Sequence, residues 1–289
     1  MTPSSDTART VQDKPWWLSL LRIAGITYAL ACVLLYVFQE KLIYVPFAEL
    51  ARTPAAVLSH YEDVWLETRD GAQLHSWFVS ASTRAAPYVI FFHGNAGNMA
   101  GRVPVLEYHH RLEHHVLMID YRGFGQSSGE PSEAGTATDA LTAWNYLTDK
   151  KGASPERIVI HGRSLGAAVA LQLARQVQAA AVILESPFTS LPDVASDVYP
   201  LFPVRWLARI EYPNLETVRA LDTPILVAHS PDDDLIPYSH GQKIANAKPG
   251  IELLNLAGDH NSGSIVWERR HDQTVKDFIH KHTAGRRGG

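Results

Sequence analysis

The stretch Ile158-Val159-Ile160-His161 runs into Gly162-Arg163-Ser164-Leu165-Gly166, and the strong helix former AAVALQLARQ follows. This is G-x-S-x-G in the strand-to-helix setting that gives the pattern a mechanism. A serine on so tight a turn exposes its hydroxyl, and glycine two residues to either side lets strand and helix approach closely. The helix N-terminus adds partial positive charge where an oxyanion would form. A nucleophilic serine needs a base to take its proton and an acid to orient that base. Downstream, PILVAHS ends in Pro231-Asp232-Asp233-Asp234, and IELLNLAG ends in Asp259-His260-Asn261. Serine, then acid, then histidine is the chain order this chemistry takes on an α/β sheet. The residues alone leave the choice among Asp232, Asp233 and Asp234 open.

Two other constellations compete. Gly125-Gln126-Ser127-Ser128-Gly129 repeats the glycine–serine pattern, but Glu130-Pro131 comes next and no helix starts where one is needed. Ser127 therefore reads as part of a structural loop. His110-Arg111-Leu112-Glu113-His114 matches H-x-x-E-H, an inverted zinc-peptidase signature whose three ligands would share a helix face. A solvated helix face accounts for it equally well, and no metal or organic cofactor is expected.

The serine, acid and histidine sites each follow a short apolar run. The runs are Tyr88–Phe92, Val116–Ile119, Ile158–Ile160, Ala181–Leu184, Pro224–Ala228 and Ile251–Leu256. Lacking polar alternation, they suit strands buried on both faces of a parallel sheet. Between them, Ala137, Leu141, Trp144 and Leu147 recur at helical spacing, as do Ala168, Leu171 and Ala174. Strand and helix in alternation predict a doubly wound α/β fold with its chemistry at the carboxyl ends of the strands. Ahead of these runs, Val64–Thr68 and Leu74–Val79 flank Asp70-Gly71, a hairpin signal.

The chain has 289 residues, of which 46% are hydrophobic and 19% charged, with a formal net charge of −4 and one cysteine. Apolar content is ample for a core, and disorder and coiled coil are excluded. The acidic balance argues against a nucleic-acid partner. A single cysteine excludes an intramolecular disulfide framework. From Leu18 to Phe38 the only charge is Arg22, and a helix of that length spans a bilayer's hydrocarbon core. Trp16 and Trp17 at one end, and Tyr36 and Tyr44 near the other, suit the two interfaces. A cleaved signal peptide is the rival reading. Ala29-Leu30-Ala31 before Cys32 resembles its cleavage site, yet the apolar run continues past it.

The expected layout is a tail over 1–15, a single transmembrane anchor over 16–38, a connector over 39–60, an α/β domain over 61–281 and a flexible tail over 282–289. Arg9, Lys14 and Arg22 before the span, against Lys41 and Arg52 after it, tilt the domain by a narrow margin to the non-cytoplasmic side. The partners expected are the lipid bilayer and a small-molecule or acylated substrate.

Several stretches in order resemble the α/β-hydrolases of the BEM46-like group, the membrane-anchored relatives of the ABHD13 and ABHD17 proteins. They are Phe38–Tyr44, His93–Asn98, Asp120–Gly125, Gly162–Gly166, Glu185–Ser190 and the acid and histidine turns. The resemblance implies an α/β-hydrolase fold with a short lid at about 186–220. That segment carries Phe188, Tyr199, Phe202, Trp206 and Tyr212. It also implies a membrane-anchored serine hydrolase cleaving esters or thioesters, with Ser164, Asp233 and His260 as the triad. Asp233 follows from aligning the family's acid turn on Ile236-Pro237, where Ser230 replaces the usual glycine. The implied oxyanion hole is formed by the backbone N–H groups of Leu165 and Asn95. A serine peptidase or amidase, and a non-catalytic membrane-tethered scaffold, are the alternatives.

Overall fold

The computed structural model describes residues 15–284. Most of the two expected tails, with Arg9 and Lys14, lies outside the described residues. Eight strands form one sheet in the order β1-β2-β4-β3-β5-β6-β7-β8. They are β1 (Glu62–Glu67), β2 (Gln73–Val79), β3 (Tyr88–Phe92), β4 (His115–Ile119), β5 (Ile158–Arg163), β6 (Ala181–Glu185), β7 (Ile225–His229) and β8 (Glu252–Asn255). The β1–β2 hairpin turns at Asp70-Gly71 and joins β4 antiparallel; every later pairing is parallel.

Alternate residues of the strands feed two cores. Ile90, Phe92, Ile160 and Leu184 pack under α4 (Glu133–Asn145) and α5 (Leu165–Ala174). Val89, Phe91, Val159 and Ile183 pack under α3 (Val103–Arg111) and α10 (Asp272–Thr283). Both faces are thus covered, which is why the strands read as unbroken apolar runs. Because α10 continues to Thr283, the first residues of the expected flexible tail are helical.

Between β6 and β7 the chain forms α6 (Leu191–Val198), α7 (Val204–Leu207) and α8 (Asn214–Ala220). The last buries Thr217 and Val218 and packs on α5, so it belongs to the sheet's helical layer. The lid therefore ends near Tyr212, short of the expected 220. Helix α9 (Tyr238–Ala245) links β7 to β8.

At the front, α1 (Trp16–Val37) is 22 residues long with none buried, and it is long and apolar enough to cross a membrane. A short helix α2 (Gln39–Ile43) follows it directly. The stretch expected as a connector is packed rather than free. Tyr44 is buried, and its hydroxyl lies 2.8 Å from that of Tyr212 at the end of the lid.

Candidate active site

Ser164 caps α5 with φ 55° and ψ −119°, the left-handed strain that lifts a side chain out of a strand-to-helix turn. The flanking glycines are required sterically. A Cβ on Gly162 would lie 2.1 Å from the Gly166 carbonyl oxygen, and one on Gly166 would lie 2.0 Å from that of Phe92. No side chain fits either gap.

Three sequence-predicted residues meet at this turn. Ser164 Oγ is 3.1 Å from His260 Nε2, and His260 Nδ1 is 2.8 Å from Asp233 Oδ2. With Nδ1–H donating to the carboxylate, Nε2 is left to accept the serine proton. The other Asp233 oxygen accepts the backbone N–H groups of Leu235 (3.0 Å) and Ile236 (2.7 Å). Burial would raise the Asp233 pKa. The His229 and His260 imidazoles and the Ile236 amide outweigh it and hold the carboxyl well below the usual range. The neighbouring aspartates differ in kind. Asp234 Oδ1 accepts the His260 backbone N–H at 3.0 Å and so pins the histidine loop, while Asp232 is exposed.

The two amides expected to hold an oxyanion border the same serine. Leu165 opens α5, so its N–H has no intrahelical acceptor. The loop after His93 runs against the elbow, since a Cβ on Gly94 would sit 3.3 Å from Ser164 Cβ. Among the described residues, neither the Leu165 nor the Asn95 N–H donates to a protein acceptor.

Several positioning contacts go beyond the sequence reading. The Arg163 guanidinium donates to the carbonyls of His260, of Asn261 at 3.2 Å and of Gly263 at 3.3 Å, clamping the histidine loop to the elbow. The Asn95 side chain is gripped by the segment after the anchor: its Nδ2 donates to the Ile43 carbonyl, and its Oδ1 accepts the Val45 N–H at 3.0 Å. Phe47 N–H donates to the Gly97 carbonyl at 3.1 Å, and Asn98 Nδ2 donates to the carbonyls of Phe47 (2.9 Å) and Glu49 (2.7 Å). Residues 43–49 thus form a strap across the loop that carries Asn95, whose amide is expected to be the second oxyanion donor. The Phe38–Tyr44 stretch was the visible signal, but most of the strap's contacts run through backbone carbonyls.

Beneath the elbow, Glu185 is fully buried. Its backbone carbonyl accepts the Ser164 N–H at 2.9 Å, and its carboxylate accepts from Ser264 Oγ (2.7 Å), Ile265 N–H (3.0 Å) and His161 Nε2 (2.7 Å). The chain of imidazoles continues from His161 to His109 at 2.9 Å. Burial pulls Glu185 upward, but the His161 bond, the Arg163 charge and the Ser264 bond reverse this and leave its pKa lowered.

The competing constellations dissolve. Ser127 is buried; its Oγ accepts the His75 N–H at 2.9 Å and donates to the Asp120 carbonyl at 2.8 Å, so it ties a loop. The H-x-x-E-H residues do not share a helix face, because α3 stops at Arg111. Glu113 takes a left-handed φ of 62° and accepts a bond from Ser82, while His114 turns inward to His109. Two surface hollows of about 680 Å³ and 630 Å³ include none of Ser164, Asp233 and His260 among their walls.

A family model described as "Alpha/beta hydrolase family" matches residues 89–247. Protein bem46 of Schizosaccharomyces pombe is 36% identical over 217 residues, covering 70% of this chain and 72% of that protein. Lysophosphatidylserine lipase ABHD12 of Gallus gallus is 34% identical over 203 residues, 63% of this chain and 52% of its own. Among solved structures, the Pyrococcus furiosus esterase Pf2001 superposes with a TM-score of 0.70 at 21% identity, covering 83% of this chain and 98% of that one. That last likeness is one of fold.

Proposed function

The chain belongs to the alpha/beta hydrolase family, in its BEM46-like group, and on that premise we propose that it is a membrane-anchored serine hydrolase cleaving carboxylic ester or thioester bonds of acyl or lipid-like substrates. One observation carries the reading: Ser164, His260 and Asp233 stand in a continuous hydrogen-bonded line at the carboxyl edge of the sheet. His260 Nε2 takes the Ser164 proton as Oγ forms a bond to the substrate carbonyl carbon. The negative charge on the carbonyl oxygen is met by the Leu165 and Asn95 amides. On collapse the bond to the alcohol or thiol breaks, and His260 hands that leaving group the proton. Water, deprotonated by His260, then releases the acid and restores Ser164. Asp233 stays ionised throughout and stabilises the imidazolium.

The substrate class rests on two supports. ABHD12, a relative by sequence, bears a lipase name. Helix α1, suited to span a bilayer, lies beside the lid. The anchor itself is part of the proposal, as is the placing of the domain on the non-cytoplasmic side.

The test uses the full chain in lipid vesicles. A fluorophosphonate labels the wild type, and p-nitrophenyl esters and acyl thioesters of graded chain length are turned over ahead of aminoacyl amides. Ser164→Ala and His260→Ala each lower ester turnover by at least about 10⁴-fold. Ser127→Ala keeps most of it. Labelling that survives Ser164→Ala overturns the nucleophile, and amide preference would move the enzyme to the peptidase class.

A further inference from the structure

The lid presents its apolar side chains outward. Leu201 is 82% exposed and Trp206 89%, with Val198 and Tyr199 about half exposed beside them. Among its charges, Arg205 pairs with Asp193 at 2.8 Å and Asp197 pairs with His240 at 3.0 Å, both directed at the lid's own first helix or the domain.

This surface runs along α1. Tyr28 donates to the Leu201 carbonyl at 2.8 Å and stacks on Phe202 with ring centroids 5.5 Å apart. Further along, the Arg209 guanidinium lies 5.0 Å from the Tyr36 ring, and Gln39 donates to the Leu207 carbonyl at 2.5 Å. The lid therefore follows α1 from its C-terminal end to its middle. Tyr28 is nine residues before Val37, so the contact lies about 14 Å along the helix axis at 1.5 Å per residue. A leaflet's hydrocarbon is about 15 Å deep.

Most of the lid's backbone polar groups are paired within the protein. Each backbone polar group left unpaired against hydrocarbon costs several kcal/mol, so irregular chain at membrane depth needs its backbone packed on protein and largely paired. Pro200 and Pro203 carry no N–H. The N–H groups of Tyr199, Phe202, Val204, Trp206, Leu207 and Ala208 donate to carbonyls within the lid, and Tyr28 satisfies the Leu201 carbonyl; among the described residues those of Leu201 and Arg205 have no protein acceptor.

We infer that the lid segment Val198–Leu207 lies immersed in the same bilayer leaflet as the C-terminal half of α1, with Leu201 in the hydrocarbon and Trp206 nearer the interface. Lid and anchor then form one membrane-binding face, and a membrane-resident acyl substrate reaches the lid laterally without crossing water. This rests on the anchor reading above.

The single native cysteine allows a direct depth measurement on the full chain in phosphatidylcholine vesicles. A nitroxide is placed at Cys32 in the wild type. It is also placed at Leu201→Cys, Trp206→Cys or Lys276→Cys, each in a Cys32→Ser background, and its collision with oxygen and with a water-soluble nickel chelate is compared. Lys276 is exposed on α10 and gives the aqueous reference. Labels at 32 and 201 should each meet the chelate roughly tenfold less than the label at 276, since a polar chelate is excluded from hydrocarbon. The label at 206 should fall between. Fluorophosphonate labelling of each variant shows that it is folded. A label at 201 as open to the chelate as that at 276, with the one at 32 shielded, overturns the immersed lid and leaves the anchor standing. If 32 and 201 are both open, the anchor fails and the immersed lid with it.

Discussion

The three aspartates after β7 differ in what their oxygens already hold, and this separates their contributions. Asp233 spends one oxygen on the Leu235 and Ile236 amides and offers the other to His260 Nδ1. Asparagine at 233 would keep its carbonyl on the two amides and turn its NH₂ towards Nδ1. The imidazole is then forced into the tautomer whose Nε2 carries the proton, and a serine proton has nowhere to go. Asp233→Asn is expected to lower kcat by roughly 10⁴-fold. Asp234→Asn keeps an acceptor for the His260 backbone N–H and should cost less than about tenfold. Steady-state turnover of a short p-nitrophenyl ester distinguishes them, and equal losses at 233 and 234 would refute the assignment of the acid.

At the scale of elements, the strap is the departure from a domain hung on a free tether. Asn95 reaches it through both ends of its amide, fixing the direction of its own backbone N–H. Asn95→Ala frees the loop while leaving the amide in place. A donor misaimed by about 1 Å can cost up to about 10²-fold. We expect kcat to fall between roughly 10- and 10²-fold with KM changed less than about threefold; a change in KM alone would place Asn95 in substrate binding. The strap also marks where sequence reading stops. The six apolar runs correspond to β3–β8, and for β3–β7 this is because burial on both faces writes itself into residue type; β8, at the sheet edge, keeps Glu252 and Asn255 exposed. The runs at β5, β6 and β7 end too early at the carboxyl edge, where His161, Arg163, Glu185 and His229 continue the ladder as polar residues. Those are the positions that meet the elbow and the triad. Ser164 and His260 were visible as types in the right order, and Asp233 became so only through the register of Ile236-Pro237. The grip of residues 43–49 depends on main-chain carbonyl and N–H groups, which no residue type records. The zinc spacing, already set aside, fails because it presumes a helix continuing past Arg111.

For the whole molecule, the groups buried behind the site set a direction for acid stability. His109 is fully buried, and burial, then the neighbouring His161 and His114, pushes its pKa well below the ordinary value. His114 is pushed down to about 4, by burial first and then by the His280 and Lys276 charges. A histidine whose pKa is lower in the folded state binds its proton more readily when unfolded. Its contribution is therefore complete above about pH 6.5 and is lost as pH falls towards the folded value. For His114 alone the loss amounts to about 3 kcal/mol by pH 4, a large share of the roughly 5–15 kcal/mol that holds a domain together. Asp233 and Glu185, both lowered, act with the same sign. Their stabilisation is present above the unfolded carboxyl range and fades as pH falls further. The expected melting temperature is thus flat above pH 6.5, declines between 6.5 and 4 through the histidines, and falls again below 4 through the carboxylates. His114→Gln removes one of these depressed imidazoles. It should lower the melting temperature at pH 7, where a buried partner is lost, yet flatten the decline between 6.5 and 4. Thermal melts of both proteins at half-unit pH steps read this directly, and parallel curves would remove His114 as a source of the acid lability.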